Sequence, residues 1–159
     1  MQRALKALHE LAAIGVLGSL ACCLVLTATA PKQSLVGYAA VRQGIAAITH
    51  WILVPSLALV LVSGLLAIAV NRAYHDALWA WVKALLGIGM FEGSLLTVGA
   101  SARRAADLSA MAVSGQGDAA QLAQVVRTEW GGLWVLLVLS VANILLAVWR
   151  PRLRRTVSS

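Results

Sequence analysis

Apolar residues crowd into four runs, near residues 5–29, 46–70, 78–100 and 130–149, with polar stretches between them. Each run reaches about 20 residues, and a helix rising ~1.5 Å per residue over that length crosses ~30 Å of hydrocarbon. Helices are the element lipid permits here, because an isolated strand leaves its amide groups unpaired where water cannot reach them. The pattern therefore predicts an all-α polytopic membrane protein, one domain over residues 1–159, folded as an antiparallel bundle of four transmembrane helices. The longest connection, residues 101–129, is Ala-rich on both sides of "SGQGD". Asp118 followed by Gln121 has the spacing of a capping box. This outer loop reads as two helical extensions joined by a turn. Pro55 lacks an amide proton and is expected to kink the second span beside His50.

Composition agrees with the pattern. The chain is 60% hydrophobic and 12% charged, too little charge to cover a soluble domain of this length. Thirteen Lys and Arg against six acids give a net charge of +7. In a membrane protein such an excess sets topology and contacts anionic lipid. No nucleic-acid motif accompanies it, so membrane lipid is the expected partner and nucleic acid is not. Arg3, Lys6, Arg72 and the four arginines of the basic tail, residues 150–159, fall on one side; Lys32, Arg42, Arg103, Arg104 and Arg127 fall on the other. That bias predicts a bacterial-type inner (cytoplasmic) membrane protein with both termini cytoplasmic. Trp79, Trp81 and Trp149 mark one interface, and Trp51, Trp130 and Trp134 the other. The first run ends in "TATAP" like a signal peptide, but its length favours a retained span.

Ionisable groups inside spans are costly and mark function by default. His9 and Lys83 each lie about one turn inside the cytoplasmic ends of spans one and three, at matching depth. Asn143 is at a comparable level in span four, and His75 sits in the adjoining loop. A second group, His50 with Cys22 and Cys23, lies towards the outside, and Glu92 is just past the middle of span three. Lys83 and Glu92 are nine positions apart, about 180° around a helix. If Lys83 points into the bundle, Glu92 points to lipid or to another protein. A lone carboxyl in lipid is expensive, so Glu92 is a candidate partner-docking residue in a homo-oligomer or larger membrane complex. Glycines at small-xxx-small spacing on spans one and three allow close helix contact or room for a flat cofactor.

The segments "LKALH", "ITHWILVPSLALVLVSGLLAI" and "LWAWVKALLGI" resemble the HemJ-type protoporphyrinogen oxidases, with the CopD-like copper-resistance domains and related uncharacterised four-helix families. The last span, "VRTEWGGLWVLLVLSVANILLAVWRP", is similar too. The resemblance implies a four-helix bundle with a b-type haem near the cytoplasmic side, with His9 and Lys83 at the family's span-one His and span-three Lys. After His9 the chain departs from the oxidase pattern, carrying "GVLGSLACCLVLTATAP" in place of the family's "WxxGL" and "PR…YH" runs.

Several chemistries stay open from the residues. His9 is a haem axial ligand, an interface partner of Glu10, or a packing residue. Lys83 snorkels, ligates, or binds a haem propionate. His75 is a rival second ligand. His50, Cys22 and Cys23 offer a copper set or, with Trp51, a quinone contact. No hydrolase or nucleotide motif is present. The leading expectation is a haem-associated redox membrane protein, porphyrinogen oxidase-like or quinone-linked. The alternatives are a non-catalytic accessory subunit and a copper-handling protein. Whether the chain is an enzyme stays open.

Overall fold

A computed structural model describes residues 2–70 and 78–149, with side chains for 4–70 and 78–146. Four long helical rods run antiparallel. The first is α1, Gln2–Thr29. The second joins α2, Leu35–Ile48, to α3, Val54–Val70, through a π-helical turn, Thr49–Leu53. The third joins α4, Leu78–Gly93, to α5, Ala100–Val113, through a second π-helical segment, Ser94–Gly99. The fourth is α6, Ala119–Trp149. All four are long and apolar enough to cross a membrane by length and composition. The rods pack in a ring: α1 on α3, α3 on α4, α4 on α6, and α6 back on α1.

The core explains the two π segments. Buried positions recur every four residues through Ile45, Thr49, Leu53 and Leu57, and again through Met90, Ser94, Val98 and Ala102. A four-residue step overshoots one α-turn by ~40°, so a regular helix would carry these residues off the core. Local π winding, with i→i+5 bonding, corrects the drift. In the second rod the Val54 amide donates to the Thr49 carbonyl, five residues back. The disturbance expected from Pro55 thus takes the form of a π turn just before it.

Three contacts fix the register. His9 Nδ1 lies 2.8 Å from Ser63 Oγ at one end, and Cys23 Sγ lies 3.8 Å from Thr49 Oγ1 further along. A Cβ placed on Gly132 would sit 2.9 Å from Val98 Cγ2, so α6 rides directly on the second π segment. The two π segments also touch each other. The end carrying Gln2, Val70, Leu78 and Trp149 is called the near end below, and the opposite one the far end.

One boundary differs from the sequence reading. The second rod begins at Leu35 rather than near 46, whereas the third runs on to Val113 as the helical extension expected after residue 100. Arg42, counted as a loop charge, is helical and fully buried. Apolar counting stops at an arginine, whereas burial opposite a carboxylate removes the reason to stop. The capped extension is as expected. Asp118 Oδ1 accepts from the Ala120 and Gln121 amides at 2.9 and 3.1 Å, and Gly115 takes the positive φ the turn requires. Asp118→Ala should cost about 1 kcal/mol of stability, seen as a lower melting temperature of the full chain in detergent, and Asp118→Ser should restore most of it.

Candidate functional site

The core of the bundle holds two polar layers. His9 and Cys23 are fourteen residues apart, as are Thr49 and Ser63. The layers they mark are therefore ~21 Å apart at ~1.5 Å per residue.

The near layer centres on His9. Ser63 Oγ approaches the Leu59 carbonyl at 2.5 Å, so its hydroxyl proton is engaged there. His9 Nδ1–H then donates to Ser63 Oγ, and that network assigns the tautomer. Nε2 keeps its lone pair. The ring also lies against the Val60 carbonyl, and the Lys83 ammonium on α4 is close enough to act on it electrostatically. Lys83 is fifteen residues before Val98 and Ser63 is fourteen after Thr49, so the two share a level. A methyl added at Gly64 would make ordinary contact with His9 Cε1 at 3.7 Å. Asn143 is eleven residues past Gly132, one turn short of this layer, and its Oδ1 is buried without a protein hydrogen-bond partner. His75 lies outside the described residues.

The far layer was missed by sequence reasoning. Arg42 and Glu129 form an ion pair through Nη2 and Oε2, with both side chains wholly buried. Nothing in the local sequence announces it; the signal available was two opposite charges, one on each of two long helical stretches. Cys23 and Thr49 lie just beneath it.

The proposed outer set does not assemble. Cys23 is buried against Thr49, Cys22 is exposed, and His50 is exposed and packs edge-on to Trp51 at 4.8 Å. Adjacent helical residues point ~100° apart, which separates the two thiols. Among the described residues no three His, Cys, Asp or Glu side chains group as metal ligands. Glu92 is exposed, with Leu85, Gly89 and Leu96 along the same stripe of the third rod.

A haem was the cofactor expected at the near layer. One imidazole stands there, held through Nδ1 by Ser63, and imidazole is a donor that haem iron accepts. A cation stands at the same level. Two shallow clefts, about 350 and 430 Å³, lie elsewhere, around Arg104 at the far end.

These features define an all-α, four-helix protein whose rods are compatible with a multi-pass membrane protein. No family model, curated protein or solved structure matches the chain, and none links it to the HemJ-type or CopD-like families.

Proposed function

We propose that this protein is a membrane-embedded redox protein that holds a b-type haem at the near layer, porphyrinogen oxidase-like or linked to quinone. The observation that carries the reading is the meeting of His9, Ser63 and Lys83 at one level. His9 would hold the iron through Nε2, and Lys83 would take a propionate. When bound, haem supplies a one-electron couple. The chain's own residues do the rest. Ser63 keeps the His9 proton on Nδ1 and fixes the plane of the ring. The apolar rods exclude water, which strengthens every electrostatic contact inside. Both ends of the chain would face the cytoplasm, on the charge asymmetry of the sequence.

The full chain purified from haem-replete cells should show a Soret band. His9→Ala should abolish it, while Ser63→Ala should retain it in weakened form, since removing an outer partner costs about 10–100-fold in affinity. A colourless wild-type protein, or a band unchanged in His9→Ala, rejects the haem.

A second reading has one observation in its favour. Glu92 is exposed on a face otherwise made of Leu85, Gly89 and Leu96, about midway between the polar layers. That placement suits a docking subunit whose partner covers the carboxyl.

A further inference from the structure

The far layer contains more hydrogen-bonding capacity than the protein satisfies. Arg42 Nε, Arg42 Nη1, Glu129 Oε1 and Thr27 Oγ1 are all buried, and none has a protein hydrogen-bond partner among the described residues. The register puts them together. Thr27 is one turn beyond Cys23, and Glu129 is three residues beyond Gly132 towards the far end. Their backbones stand ~6 Å and ~4.5 Å above the Thr49 level. Arg42 starts seven residues above Thr49, and its pairing with Glu129 brings the guanidinium down to that height. Thr27 continues the buried stripe Val16, Leu20 and Cys23, so it faces the same interior.

The unmet groups have a definite pattern. The guanidinium offers donors in two directions, Oε1 offers an acceptor, and the threonine hydroxyl offers both. Water is the small molecule that complements all three, accepting from arginine and donating to carboxylate and hydroxyl. Buried waters occur where several polar groups lack other partners. A buried carboxylate in contact with water can exchange its proton, and ionisable groups inside membrane helices serve as proton relays.

We propose that Thr27, Arg42 and Glu129 enclose bound water and form a proton-exchanging site in the far half of the bundle. A hydronium delivers its proton to Glu129 Oε1, leaving water and a neutral carboxylic acid beside the Arg42 cation. Release runs the same step backwards, and no bond between heavy atoms changes. Cys23 faces the site from α1 and Tyr38 from α2, both near enough to act on Arg42. Neither α5 nor α6 turns a further charge on it: Arg103, Arg104, Asp107 and Arg127 are exposed. The cleft of about 350 Å³ between α5 and α6 stops at the exposed Thr128, one residue from Glu129, whose own side chain is enclosed. The site is independent of any haem.

Infrared difference spectra of the full chain in nanodiscs, recorded between acid and alkaline pH, test this. A carboxylic-acid carbonyl band should appear on acidification, shift in deuterated water, and be lost in Glu129→Gln. If Glu129→Gln does not fold, Thr27→Val decides, because it keeps both charges and nearly the same volume. Loss of the hydroxyl that holds the water should displace the Glu129 band. Spectra of Glu129→Gln that superimpose on wild type, or a Thr27→Val band that does not move, overturn the proposal.

Discussion

Arg42→Met, with Glu129 left in place, should destabilise the folded chain by about 3–5 kcal/mol, the cost of stranding one buried charge. Both side chains are fully enclosed, so the abandoned carboxylate cannot turn out to bulk solvent. It must stay charged in an apolar interior or take up a proton, and either course costs folding free energy. The double replacement Arg42→Met with Glu129→Leu should behave differently. It removes both desolvation penalties and the unmet atoms together, and its stability should return to within roughly 1–2 kcal/mol of wild type or exceed it. Reversible unfolding in mixed detergent measures all three proteins. A single mutant as stable as wild type would mean that the pair is open to bulk solvent. A double mutant no better than the single would mean that the layer organises the fold beyond charge neutralisation. The pair ties α2 to α6, so the loss should loosen the far half first.

The bundle was legible because its cause is written locally. Four apolar runs of spanning length leave backbone pairing one solution, and the Asp118 cap with the Gly115 turn marks where the third rod ends and the fourth begins. The opposite placement of Lys83 and Glu92 followed from nine residues at ~100° each, and the structure has Lys83 half-buried and Glu92 exposed. The shared height of His9 and Lys83 was countable from the near end. The Ser63 partner was not, because a serine within an apolar run carries no sign of which helix it faces. The far layer was hidden for a related reason. Arg42 reads as the end of a span when taken alone, and its meaning depends on Glu129, eighty-seven residues later. The π segments were hidden too, apart from Pro55, since the four-residue spacing that demands them becomes visible once burial is known.

On the docking role proposed for Glu92, with a second copy as the occupant, Glu92→Leu should weaken self-association of the chain in the membrane about tenfold. The carboxyl stands on an exposed stripe with Leu85, Gly89 and Leu96, and Cβ atoms added at Gly89 or Gly93 would meet nothing within 4 Å. These two glycines therefore leave a shallow groove on the outward side, at the spacing that brings helix backbones close. An ionisable side chain left uncovered at mid-membrane costs about 2.5–3.5 kcal/mol, which favours a partner that covers it. A carboxylic acid is both donor and acceptor, so it can pair with its own copy across a two-fold axis. Such interhelical hydrogen bonds contribute roughly 1–2 kcal/mol, about a tenfold change in the association constant. Energy transfer between labelled full-length chains in vesicles should fall accordingly in Glu92→Leu. Glu92→Gln should retain most of the signal, because an amide also donates and accepts. Replacing Gly89 with Leu should abolish pairing by filling the groove while leaving each monomer's core untouched. Wild-type chains that show no transfer at any protein-to-lipid ratio would exclude a second copy as the occupant. Equal transfer in wild type and Glu92→Leu would show that the copies meet on another face.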